Sequence, residues 1–281
     1  MPGKSIWKRG SLMDINEAIE KISQEKREAI WELQLFDANI WMGKPLHFPL
    51  TEELNASSLQ ELLQDYFIQG GLLSHWDGPA LSPQEGNRAF FEMGEKLPAN
   101  LYTIWTGLPL LPQEQGPLPG LGSPDDRMRG VRLFPKTHGY TLSPWIVGGL
   151  CSWCIEYGLP LFLWHVEIEW DPLYNLAQAF PDLKIIVESQ WQKILYHNRI
   201  LYSLLKDNRN VYIETSNFVG QDFITHAVSV LGAGRLVFGS FLPQNDPWAS
   251  VGMLMDADIP DHDKRLIAGE NMRSILQGAA V

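Results

Sequence analysis

Residues 159–189 read LPLFLWHVEIEWDPLYNLAQAFPDLKIIVES. The stretch holds two apolar runs, 159–165 and 183–189, with a helix-like segment between them. Neither run alternates apolar with polar residues; both are nearly continuous. Strands of a parallel sheet read this way when helices cover both faces. Asp171-Pro172 opens the segment between them, with an acid suited to capping and a proline in the first turn.

The same unit recurs outward in both directions. Further apolar runs lie at 33–40, 71–76, 101–106, 131–135, 210–216 and 235–240. Helical patterns follow most of them. Ser57 and Gln60 start one that ends at Gly70-Gly71, and Ser82-Pro83 with Glu85 makes a capping box for another. Ser143-Pro144 opens a helix that runs to about Gly158. Others are expected near 192–206, 223–231, 247–256 and 262–278. Eight strands, most followed by a helix, are the count for a (β/α)8 barrel. An open doubly wound sheet is the alternative, and no G-x-G-x-x-G after the first strand supports a dinucleotide version of it. A helix from about Ile15 to Leu33, with Asp14 and Glu17 as its capping box, precedes the first strand. We read residues 1–32 as a helical extension and 33–281 as one barrel domain. The segment 107–124 holds five prolines and four glycines, so no full helix forms there; it is expected to be a long loop on the barrel.

The chain has 33 acidic and 22 basic side chains, a formal charge of -11. That argues against a nucleic-acid groove, which needs a basic stripe. No apolar run approaches membrane length and no secretory leader opens the sequence, so no membrane partner and a cytoplasmic location are expected. Cys151 and Cys154 form a lone C-x-x-C inside a predicted helix. They read as buried apolar thiols.

Barrel active sites sit at the C-terminal strand ends. Those ends carry Asp37, Asn39 and Trp41; Ser74 and His75; Trp105 and Thr106; Lys136 and His138; His165 and Glu167; Glu188 and Ser189; Glu214 and Asn217; and Ser240 and Phe241. A period of two puts Asp37, Asn39 and Trp41 on one face. His47, His197, His226 and His262 have no paired spacing. Of the eleven tryptophans, Trp41, Trp76, Trp105, Trp164, Trp170 and Trp191 fall at or just past strand ends.

In order and content, FDANIWMG, GVRLFP, LPLFLWH, FPDLKIIVES, NVYIETS and RLVFGSFLP resemble the motifs of the amidohydrolase superfamily, in particular its amidohydrolase 2 group of decarboxylases and small carboxylate or lactone hydrolases. The resemblance spans about residues 34–278 and implies a TIM barrel of the metal-dependent hydrolase type. It also implies a D-x-H-x-H metal motif at the first strand, histidines at the fifth and sixth, and an aspartate at the eighth. Carried over, these positions are Asp37, Asn39 and Trp41, His165, Ser189 (Glu188 if the register slips by one) and Phe241. An amide is a weak donor to a zinc-type metal, and indole and phenyl rings are none. The metal site is therefore expected to be degenerate, with no cofactor, and weak divalent binding at His165 stays open.

Three functions remain. In the first, a divergent barrel binds a small organic ligand, a carboxylate or an aromatic, through Asp37, Asn39, Trp41, His75, Lys136, His138, Ser189, Glu214, Asn217 and Phe241. In the second, a hydrolase or decarboxylase-like lyase runs without tightly bound metal, using His165 and Glu188 as the catalytic pair. In the third, the barrel is structural or partner-binding. His165 is equally readable as a hydrogen-bonded core histidine. Assembly into a homo-oligomer is open.

Overall fold

The computed structural model describes residues 12–45, 54, 56–93, 96–111, 126–189, 194–218, 220 and 222–277. Eight parallel strands run in sequence order around one sheet. They are β1 (Phe36–Met42), β2 (Gly70–His75), β3 (Leu101–Thr106), β4 (Met128–Leu133), β5 (Leu161–Trp164), β6 (Ile185–Glu188), β7 (Val211–Glu214) and β8 (Leu236–Val237). Ala38 N donates to Phe238 O and Trp41 N to Leu242 O, so the last strand region returns to the first. This is the TIM barrel that the continuous apolar runs predict.

Helices α1 (Leu12–Glu32), α2 (Ala56–Asp65), α3 (Asp77–Ala80), α4 (Pro83–Met93), α5 (Pro144–Glu156), α6 (Trp170–Ala179), α7 (Asn198–Asp207), α8 (Phe223–Leu231), α9 (Pro247–Asp256), α10 (Asp261–Arg265) and α11 (Asn271–Gln277) alternate with the strands. The Ser82 hydroxyl accepts from Glu85 N at 3.2 Å, as a capping box requires. The chain from Asp261 to Gln277 is continuous, with a π-turn over Leu266–Glu270 between α10 and α11. Residues 112–124 of the Pro/Gly-rich loop, His47 and Trp191 lie outside the described residues.

Two apolar cores hold the barrel. The larger lies between strands and helices, and Cys151 and Cys154 are buried in it as free thiols. Burial pushes the Cys151 thiol up to about 12, so it stays protonated and unreactive. The smaller core fills the lower barrel interior with Phe36, Ala38, Leu72, Ile104, Phe162, Ile186 and Val237. Met272, Ile275 and Leu276 of α11 belong to the same core.

One expectation about β1 is corrected. Pairing with β2 shifts register between Asp37 and Ile40. Phe36 and Ala38 belong to the inner core, whereas Ile40 and Met42 belong to the outer one. The bulge therefore breaks the alternation, and Asp37 does not share a face with Asn39 and Trp41.

Candidate functional site

Asp37 faces the seam between the first and last strands. Its carboxylate accepts from Asn39 N at 2.9 Å, from Ser240 N at 3.0 Å and from the Ser240 hydroxyl. Burial pushes its pKa up to about 6, against those hydrogen bonds, which pull it down. Here Asp37 joins strands.

Asn39 and Trp41 point into the barrel. The Trp41 indole N–H donates to Asn39 Oδ1 at 2.8 Å. Asn39 Nδ2 in turn donates to Glu214 Oε2 at 3.2 Å and reaches Ser216 Oγ at 3.5 Å. Glu214 also accepts from Ser216 Oγ at 2.8 Å and from Ser216 N. The chain just past β8 runs so close that a side chain at Gly239 would run into the Glu214 carboxylate. Burial, with the Glu188 charge as a second cause, pushes Glu214 up to about 8.

The centre holds a residue that sequence reasoning missed. Arg132 of β4 is 1% exposed and pairs through Nη2 with Glu188 Oε1. Its guanidinium lies 4.6 Å from the Trp41 ring centroid and 5.7 Å from that of Phe162. Burial lowers the Arg132 pKa, and the Glu188 and Glu214 charges oppose that. Burial raises Glu188 to about 7, and Arg132 opposes it. The available signal was an arginine inside an apolar run, because such residues are almost never fully buried unless paired.

Above this pair sits an aromatic roof. Trp41, Trp76, Phe134, Trp164 and Phe241 form one cluster, each at most 5% exposed. Trp41 is its hub, with ring centroids 4.3 Å from Trp76, 5.0 Å from Trp164 and 6.4 Å from Phe241. Phe241 has φ +61°, a left-handed conformation that costs a non-glycine residue about 1–2 kcal/mol. The roof holds it there.

His165 and Glu188 touch, but not as an acid–base pair. His165 Nδ1 lies 3.1 Å from the Glu188 backbone oxygen, while the Glu188 carboxylate turns to Arg132. Burial lowers His165 to about 4, so its ring is neutral. Its Nε2 is buried without a partner among the described residues. The ring lies 5.8 Å from that of His197.

The remaining expected ligand residues scatter. Lys136 Nζ donates to Val166 O at 2.7 Å on the exposed side, and Glu167 accepts from Thr137 N and Oγ1 at 2.9 Å. His75 lies 3.5 Å from the Asp77 carboxylate, against Phe90. His138 stands edge-on to Phe134 at 5.7 Å. Ser189 accepts from Asn217 N at 3.0 Å and reaches Glu214 O at 3.4 Å. Trp105 belongs to the outer core, its indole bonded to Thr103.

This donor set does not fit a divalent metal. Among the described residues, no three His, Cys, Asp or Glu side chains group as a metal would need. The Asn39 oxygen is occupied by an indole, Trp41 and Phe241 offer no donor, and a guanidinium lies against Trp41. Among the described residues at the centre, His165 Nε2 and Glu188 Oε2 are the buried ligand atoms without a partner, and the Glu188 carboxylate is already paired with Arg132 through its other oxygen.

Among the described residues, no helix is long and apolar enough to cross a membrane. No curated protein matches the chain. Among solved structures, an amidohydrolase 2 from Bifidobacterium longum subsp. infantis matches with a TM-score of 0.65 at 17% identity, covering 86% of this chain and 98% of that one. A 5-carboxyvanillate decarboxylase from Sphingomonas paucimobilis matches at 0.62 and 14% identity, covering 87% and 99%. A 4-oxalomesaconate hydratase from Rhodopseudomonas palustris matches at 0.60 and 13% identity, covering 87% and 96%. At such identities these structures share the fold. The family model described as amidohydrolase matches residues 123–277, more than half of the sequence, and the chain therefore belongs to the amidohydrolase family.

Proposed function

We propose that this chain is a family member that has given up metal-dependent hydrolysis and binds a small organic molecule at the barrel mouth. One observation carries the reading. A fully buried guanidinium, Arg132, lies on the ring of Trp41 and pairs with Glu188. Trp41 occupies a position where the family resemblance calls for a metal ligand. A fixed internal cation thus balances charge where a divalent ion otherwise would.

The acid–base alternative is weaker. His165 meets Glu188 only at its backbone oxygen, and the Glu188 carboxylate is engaged elsewhere. A general base needs the proton it takes within hydrogen-bond reach.

The charge balance also selects the ligand. Glu188 and Glu214 face one guanidinium. A carboxylate ligand would add a further anion to that set, so an uncharged aromatic fits better than the carboxylate weighed from sequence. The Ser74 hydroxyl and His165 Nε2 are buried without partners among the described residues, and buried polar atoms call for water or a ligand. Entry requires the roof to part.

Purified protein would be analysed for divalent metals, assayed for hydrolysis and decarboxylation of small aromatic carboxylates, and titrated with phenol while tryptophan emission is followed. The reading expects metal well below one equivalent, no turnover, and an emission change on titration. One tightly held equivalent of metal, with turnover that a chelator abolishes, would overturn it.

A further inference from the structure

The lower face of the barrel, opposite the mouth, carries a cavity that the reading above does not use. It measures about 310 Å³ and opens beside Phe36, Gly70 and Tyr102, at the starts of β1, β2 and β3. Arg129, near the start of β4, and Arg273, on α11, line it together, with Gln69 and Asn100 beside them. A volume near 300 Å³ is at the small end of the range for small-molecule sites.

The two arginines are held in position but not neutralised. The Arg129 guanidinium lies 5.1 Å from the Tyr102 ring centroid, and Arg273 lies 5.2 Å from that of Phe36. Stacking fixes the plane of a guanidinium and leaves its N–H edge available. Arg129 spends Nη1 on the Met128 carbonyl at 2.8 Å, and Arg273 spends Nη2 on the Gln34 carbonyl at 2.8 Å. Among the described residues neither forms an ion pair, and no acidic side chain lines the cavity. Glu270, the one acid that acts on Arg273, lies 4.0 Å from Arg265. This is unusual in a chain with 33 acidic against 22 basic side chains. Two cations left facing one apolar-floored cavity, with amides at its rim, match the needs of an oxyanion. A guanidinium edge meets such a group with two parallel hydrogen bonds.

We propose that this cavity is a binding site for a small molecule bearing a phosphate or carboxylate group, clamped between the Arg129 and Arg273 guanidinium groups. The site is independent of the barrel mouth and of whether the mouth binds anything. Its apolar floor accommodates a compact organic body behind the anionic group.

The test uses the full chain and two probes, inorganic phosphate and benzoate, in calorimetric titrations. The site predicts saturable binding of at least one of them, one per chain. Phosphate alone marks a phosphorylated ligand, and benzoate alone marks a carboxylate. Arg129→Gln removes a charge-assisted donor and should weaken binding roughly tenfold or more, while Arg129→Lys should weaken it less. Among the described residues Arg129 hydrogen-bonds only to the adjacent Met128 carbonyl and otherwise stacks on Tyr102, so the variant should melt close to the parent without ligand, and Arg273→Gln provides a second variant. Absence of binding by both probes at millimolar concentration overturns the proposal. So does binding that is unchanged in both glutamine variants.

Discussion

Arg132 shows what a single residue conceals in a sequence. Within VRLFP it passes as one polar position in a buried strand. Its role appears only when β4 and β6 bring it to Glu188, 56 positions away. The link from Asn39 to Glu214 spans 175 positions. Local patterns cannot register pairings at that distance, so the acids were legible as strand-end residues while the cation that balances them was not. The pairing has a consequence for pH. Asp37, Glu188 and Glu214 are raised to about 6, 7 and 8, chiefly by burial. Each holds its proton more tightly folded than unfolded, so its stabilisation is full below the ordinary carboxylate range and is lost as pH rises through the raised value. His165, lowered to about 4 from 6.5, acts oppositely. Its contribution is full above 6.5 and is lost as pH falls through 4. Above pH 6.5 the carboxyls act unopposed. Urea midpoints should therefore fall from pH 6.5 to 8.5, by an amount on the order of a few kcal/mol in stability, and Glu214→Gln should flatten the fall. A midpoint that holds or rises over this range would contradict the assignment.

At the level of elements, the strands were legible because burial on both faces leaves continuous apolar runs, and each of the eight runs became a strand. The helix at 83–93 was legible because its capping residues bond as their spacing implies. Two features were not. Asp77–Ala80 forms a short helix despite containing glycine and proline, and the β1 bulge turns Asp37 out of line with Asn39 and Trp41. No residue pattern announces either one. The bulge gives Asp37 its task, because β8 is only two residues long and ladder bonds alone make a weak seam. Asp37 bridges it through the backbone and hydroxyl of Ser240. Asp37→Ala should cost about 3 kcal/mol, the scale of losing hydrogen bonds to a buried charged group. Asp37→Asn should be much milder, since an amide oxygen accepts the same two backbone N–H groups. Hydrogen exchange gives the sharper readout. In Asp37→Ala the amides of Ala38 and Trp41, which bond across the seam, should exchange faster than those within β4 to β6. Uniform acceleration around the barrel would mean Asp37 is not a seam clamp.

At the scale of the whole molecule, fold and chemistry separate. The barrel is maintained by its two apolar cores, and neither includes the residues at the centre of the mouth. The centre can therefore change character while the fold persists, which is how a chain at 13–17% identity keeps the architecture of decarboxylases and hydratases. If an internal cation has taken over the metal's electrostatic role, restoring metal ligands alone should not restore metal binding. Asn39→His, Trp41→His and Phe241→Asp together return the family's donor types beside His165. The Arg132 guanidinium remains, 4.6 Å from where the centre of the Trp41 ring now lies. A divalent ion at that distance from a guanidinium is repelled by about 7 kcal/mol at an effective dielectric of 20. The triple variant should therefore bind zinc weakly, and adding Arg132→Met should raise the affinity at least about a hundredfold, since removing even part of that repulsion spans two decades. Zinc titration of both variants, each checked for folding by circular dichroism, decides the matter. Equal affinity in the two would show that Arg132 does not stand in for a metal and that the charge balance at the centre has another origin.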